Sequence, residues 1–302
     1  MKANLKNPLI SRLLIVIVVI ILLFLLFLIA TTFKTKSYKV EDDIEEVFIG
    51  DSHVRYAVDD SLLKNSLSLA NSSESVYFSY FKIKQILQSN PTIKTVYLGF
   101  SYHNISGYYD QYINGRYSHN VSPNYFYLLP IKQKSKMIKW NLKRLPFFTT
   151  SILRAGIKSW LSKIFFQGGF DNDYSNVSAQ IESMDGRLNF QYFTNGELNS
   201  FSTLNLTYIR NIIKLCNNQK VKLIILNTPL HHYYKKNVPR EYVNKYDSLI
   251  LSQSLKVMDL SDISLPDSCF QPEGDLLSKD GALETTKEII RRKQHLTNKA
   301  HK

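Results

Sequence analysis

The chain opens on a run of apolar positions with no interruption. Leu13 to Ala30 is eighteen apolar residues without a charge, and Thr31–Phe33 extends the uncharged stretch to twenty-one. About 20 such residues cross the hydrocarbon core of a bilayer as a helix. A secretory leader has a shorter apolar core and ends in a small-residue cleavage site. Ala30-Thr31-Thr32 does not supply such a site. The expectation is therefore an uncleaved anchor over 1–36, with the lipid bilayer as partner of residues 13–33.

Beyond the anchor the pattern changes to short apolar runs separated by helical spacing. Val47–Ile49 predicts a buried strand and Ser66–Ala70 a weaker one. Ser75–Leu87 has helical periodicity and stops near Pro91. Thr95–Phe100 is a strand rich in β-branched and aromatic residues. Leu206–Cys216 places Ile209, Ile212, Ile213 and Cys216 on one helical face, which makes Cys216 a buried free thiol. Val221–Leu226, Arg240–Leu255, Lys256–Leu260 and Gly281–Arg292 continue as strand, helix, strand and helix. That alternation predicts a parallel sheet covered on both faces. Residues 104–200 break it. A stretch that long is not a simple loop, and a mostly helical insert is expected there.

Composition permits a sizeable core: 302 residues, 44% hydrophobic and 21% charged. The net charge of +13 suggests nucleic acid until it is located. Residues 1–36 carry +5, residues 131–163 carry +9 and the last sixteen residues carry +5, which leaves −6 on the body. A mildly acidic body with three basic appendages argues against a nucleic-acid partner. The chain divides into the anchor, a domain over 45–296 that holds the insert, and a basic tail over 297–302.

In open parallel sheets ligands bind at the carboxyl ends of the strands. Four polar groups fall there: Gly50-Asp51-Ser52-His53, then Ser101 with His103 and Asn104, then His231 and His232, and finally Glu273 with Asp275. Gly50 lets the backbone turn, and Ser52 just after it can be presented as a nucleophile, which needs a base and an orienting acid. The plain alternative is that Asp51 and Ser52 cap the next segment. No Cys/His spacing marks a zinc site and no Gly-rich phosphate loop occurs, so neither metal nor cofactor is expected.

The block Val47-Phe48-Ile49-Gly50-Asp51-Ser52-His53 resembles the GDS block of the SGNH, or GDSL-like, hydrolases. Asp280-Gly281-Ala282, with Thr285 and Thr286 behind it, resembles the end of that family's last block. The likeness spans roughly 45–103 and 204–292 and is closest to membrane-anchored, envelope-facing members. It implies an α/β fold, a flavodoxin-like three-layer α/β/α sandwich, with Ser52 as nucleophile and the body outside the cytoplasm. It also implies an esterase or O-acyltransferase acting on acylated envelope polysaccharide, with envelope-biosynthesis proteins as further partners.

The chain departs from that pattern where the base should stand. Leu276 occupies the catalytic His position, Glu273 the Asp position and Ser278 the Asn position. Gly99-Phe100-Ser101 keeps only the Gly of the third block, with Asn104 displaced, and Asn71-Ser72-Ser73 stands near the second. Three readings follow. His231, His232 or His103 serves as base, with Asp275 orienting it; Asp275 or Glu273 acts directly; or the site binds without turnover. Gly50, Asp51, Ser73, Ser101, His103 and Asn104 are the candidate oxyanion or substrate contacts. His53 is expected as a cap or surface residue.

Two features of the insert carry chemistry of their own. Residues 131–163 interleave Lys and Arg with Trp, Phe, Leu and Ile. That suits a helix lying in anionic headgroups, a domain packed on the body with a solvated basic face, or a cradle for an acidic polysaccharide. Tyr102–Tyr127 holds eight aromatic residues, which suit sugar stacking or a Tyr-rich core.

Overall fold

The computed structural model describes residues 8–161 and 168–300. Lys2, Lys6, Lys163, Ile164–Phe166 and Lys302 therefore lie outside the described residues, and the side chains of 295–300 are not described.

Five short strands form one parallel sheet: β1 Glu46–Ile49, β2 Ser66–Ser68, β3 Thr95–Gly99, β4 Lys222–Asn227 and β5 Lys256–Asp259. Their order is β2-β1-β3-β4-β5. This is the flavodoxin-like order, and each β-to-β connection crosses over through helical structure, as parallel neighbours require. Strand residues alternate between the two faces. Val47, Ile49, Val96, Leu98 and Ile225 bury against α3 (Val76–Ser89), α7 (Thr203–Asn218) and α8 (Arg240–Ser252). Phe48, Tyr97, Ile224, Leu226 and Met258 bury on the other side with α2 (Ser52–Arg55) and α9 (Lys279–Ala300). The result is the three-layer α/β/α sandwich expected from the alternation. α9 runs through Ala300, so residues 297–300 of the tail continue that helix.

The polypeptide between β3 and β4 is mostly helical. It contains α4 (Ile131–Trp140), α5 (Leu145–Leu161), α6 (Ile181–Tyr192), several single turns and a hairpin of Phe193–Thr194 with Glu197–Leu198. Tyr125, Phe126, Tyr127, Met137, Phe148 and Ile152 form its own core, which packs on Tyr77, Phe78 and Phe81 of α3.

At the amino end, α1 (Pro8–Lys36) is one helix long and apolar enough to cross a membrane. Among the described residues nothing covers its outward apolar face, whereas Thr31 and Thr35 near its carboxyl end are buried. Cys216 is buried and unpaired, as is Cys269.

Candidate active site

The carboxyl edge of the sheet is assembled where β1 and β3 end side by side. Gly50 and Gly99 face each other across this edge: a Cβ on Gly50 would lie 3.1 Å from the Gly99 Cα and 2.9 Å from Val54. A Cβ there would fit only if Val54 and the Gly99 backbone gave way. The close approach lets the chain turn directly from β1 into α2 and sets Asp51 into the sheet edge.

Asp51 is the hub. It caps α2 by accepting the His53 amide at 3.0 Å on Oδ1. Its Oδ2 meets His103 Nε2 at 2.8 Å, accepts from Asn104 Nδ2 at 2.8 Å, and accepts from the Tyr109 hydroxyl. Asn104 is fixed in turn, its Oδ1 accepting from the Ser101 amide at 2.8 Å and its carbonyl from Asn205. Burial alone would raise the Asp51 pKa. The neighbouring imidazoles of His103 and His53, and the hydrogen bonds from His103 and Tyr109, outweigh burial and hold the carboxyl far below its usual range.

A second carboxylate faces the first. Asp275 is wholly buried; its Oδ2 accepts from Arg187 Nε at 2.7 Å and Gln191 Nε2 at 2.8 Å. His53 Nε2 stands 3.3 Å from the same oxygen, close enough for an ion pair but not aligned for a hydrogen bond. Burial would raise Asp275, but Arg187 and then His53 outweigh it and hold it ionised. The His53 and His103 rings stack with centroids 3.8 Å apart and planes 16° apart. Two carboxylates therefore bracket one pair of imidazoles. Burial, reinforced by the neighbouring His53, lowers His103 to about 4 despite Asp51, so it is neutral at pH 7.

His53 is not the surface residue expected from its position after the motif Ser. It is 5% exposed. α2 is only four residues long, and its second position is turned under the loop that carries Asp275. No periodicity can show that in so short a helix. Arg187, Gln191 and Tyr109 complete the cluster, and all three come from the segment whose pattern carried no strand–helix alternation.

Ser52 begins α2 and is half-buried. Among the described residues its hydroxyl has no hydrogen-bond partner. Ser101 is buried, and its hydroxyl is also unpartnered. Ser73, in the turn after β2, holds a left-handed backbone at φ 61°. The turn is pinned to the site, because the Asn71 amide donates to the Gly50 carbonyl at 3.0 Å.

His231 and His232 lie elsewhere on this edge. His231 Nε2 pairs with Asp267 at 3.0 Å, and its Nδ1 accepts from the Tyr233 amide, so both ring nitrogens are engaged. His232 lines a separate depression with Lys235, Lys236 and Asp262. The chain links the two places through the His231 amide, which donates to the Gly274 carbonyl next to Asp275. No described hydrogen bond joins either histidine to Ser52. Leu276 is half-buried, and its carbonyl accepts from the Gln271 amide.

Asp51, His53 and His103 each offer one ligand atom within 4.8 Å of the others. Asp51 Oδ2 already takes three donors and the two rings are nearly parallel, so their lone pairs do not converge on one ion.

No family model matches the sequence, and no curated protein matches it. Among solved structures, a GDSL-like lipase from Bacteroides thetaiotaomicron is similar over 86% of this chain and 91% of that one, with a TM-score of 0.38 and 7% identity.

Proposed function

We propose that the chain is a membrane-anchored ester hydrolase or O-acyltransferase that uses Ser52 as nucleophile on an acylated glycan outside the cytoplasm. The observation that carries this reading is the Ser52 hydroxyl, unpartnered at the strand-to-helix turn, beside two buried His–Asp pairs. A Ser nucleophile needs a base held by a third group. His53 is the base in this reading. Both its ring nitrogens lack an aligned hydrogen bond, and its carboxylate, Asp275, is fixed by Arg187 and Gln191. His103 is the weaker candidate, because its Nε2 is held by Asp51 and it binds a proton only near pH 4. Ser52 has to rotate to reach the ring, a closing of geometry that unliganded sites often require.

The step is then ordinary acyl transfer. The Ser52 oxygen attacks the ester carbonyl as its proton passes to His53. The tetrahedral intermediate expels the sugar hydroxyl, which takes that proton. Water or a second hydroxyl then releases the acyl group. Support for a glycan comes from a cavity of about 580 Å³ lined by Tyr108, Tyr117 and Phe190 beside Arg116, Gln111 and Asn199. Flat rings next to planar polar side chains suit a sugar face and its hydroxyls. Tyr109, next to Tyr108, is the Tyr that donates to Asp51.

One observation favours a second reading: among the described residues no base touches Ser52, and Leu276 fills the position where the resemblance puts the catalytic His. In that reading the site holds the acylated glycan for a biosynthetic partner without turnover. Release of acetate from O-acetylated oligosaccharide by the full-length protein separates the two. Turnover that disappears in Ser52→Ala supports catalysis. Saturable glycan binding with no acetate release, unchanged by Ser52→Ala, supports the binding reading.

A further inference from the structure

The anchor does not tether the body loosely. Trp160 Nε1 donates to Thr31 Oγ1 at 3.0 Å, Lys34 Nζ to the Ser159 carbonyl at 2.8 Å, and Lys134 Nζ to Thr32 Oγ1 at 2.9 Å. Gly156 of α5 is the crossing point, since a Cβ there would stand 2.7 Å from the Phe27 ring. The docked stretch, Phe27 to Lys36, overlaps the last two turns of the uncharged run. α4 and α5 are thereby held at the level where the span leaves the hydrocarbon. Their outer surface matches that level: Ile131 (82% exposed), Phe147 (71%), Trp160 and Leu161 point outward among Lys and Arg.

Between α1 and α4 lies an open, mostly apolar groove of about 600 Å³, walled by Leu28, Ile29 and Phe33 on one side and Leu129, Ile131 and Ile138 on the other. Lys36 and Lys134 are the charged residues that line it, and no acid does among the described residues. Burial lowers Lys134 to about 8, and the charge of Lys36 adds to the shift. Two like charges over an apolar groove call for an anion between them. The surrounding solvent of this groove is the bilayer that α1 crosses. We infer that this groove binds one anionic glycerophospholipid of that leaflet, an acyl chain lying along Leu28, Leu129 and Ile138 and the phosphate bridging Lys36 and Lys134. The bound lipid fixes the height and tilt of the catalytic body over the membrane. The inference rests on the anchor reading and is independent of the chemistry at Ser52.

The test uses the full-length chain in nanodiscs of equal phosphatidylglycerol and phosphatidylcholine, ejected into a native mass spectrometer. Wild type is expected to retain one phosphatidylglycerol at least tenfold over phosphatidylcholine. Lys36→Ala combined with Lys134→Ala lowers that retention at least tenfold, and Ile138→Trp, which fills the groove and keeps both charges, lowers it too. Equal retention of the two lipids overturns the inference, as does undiminished retention in both variants. Displacement of the lipid by millimolar inorganic phosphate alone also overturns it, because the site is then a bare anion site. Extraction with alkaline carbonate separates the premises. A chain washed off the membrane defeats the anchor and the lipid site together, whereas a chain that stays but retains no lipid defeats the lipid site only.

Discussion

Two histidine pairs stand at the same sheet edge. His53 stacks on His103 with centroids 3.8 Å apart, and His231 lies against His232 at 4.2 Å. Each pair includes a contact to an aspartate. The difference is the water. Asp51 and Asp275 are 1% exposed, whereas the Asp267 side chain that meets His231 is 66% exposed. A charge–imidazole contact in solvent contributes little, while the same contact in a dry interior governs which groups hold protons. Chemistry is therefore expected at the first pair, whereas the sequence alone leaves His231, His232 and His103 all open as base.

The comparison breaks most sharply in activity. His53→Gln is expected to lower ester turnover by about 10²–10⁴-fold, the range for loss of a general base, while His231→Gln changes it less than about threefold. The reverse order in a kcat/KM comparison would move the base to the other pair. Stability gives the next effect. Asp51→Ala strands the donors of His103, Asn104 and Tyr109 in the interior and is expected to cost about 3–5 kcal/mol in urea unfolding, against about 0.5 kcal/mol or less for Asp267→Ala.

Acid supplies a smaller and graded effect. His103 binds its proton near pH 4 in the fold, against the ordinary 6.5 when unfolded. The unfolded chain thus takes up a proton first as pH falls. Stability is full above about pH 6.5 and drops between there and pH 4, by roughly 3 kcal/mol at most. Asp51 and Asp275 act in the same direction, but only below the usual carboxylate range. His103→Gln should flatten the slope between pH 6.5 and 4 in urea midpoints; an unchanged slope would show that His103 is not the buried neutral group. Least affected of all should be Lys235→Ala, whose partner Asp262 is mostly exposed. Its unfolding midpoint should match wild type within error.

The fold was legible because its strands are short, β-branched and punctuated. Val47–Ile49, Thr95–Phe100 and Val221–Leu226 each match an observed strand to within a residue or two at either end, and the helical face of Ile209, Ile212, Ile213 and Cys216 is the buried one. Gly50-Asp51-Ser52 could be read as a turn at the ligand edge because a Gly between a strand and polar residues has few other uses there. The rest of the cluster was not legible, for a physical reason. His53 is turned inward by a four-residue helix too short to have a face. Arg187 and Gln191 reach Asp275 across more than eighty residues of chain. Nothing in local spacing marks a residue whose partner is supplied by tertiary packing. His103 and Asn104 do fall at the right strand end, yet it is the tertiary fold that turns both onto Asp51.

The central claim is a reactive Ser52. The most direct measurement is intact-protein and peptide mass spectrometry of the folded full-length chain after incubation with a fluorophosphonate. The account predicts one adduct per chain, mapped to Ser52, formed rapidly in wild type and at least a hundredfold more slowly in His53→Gln. Absence of any adduct on folded wild type, or an adduct on another residue, would contradict it.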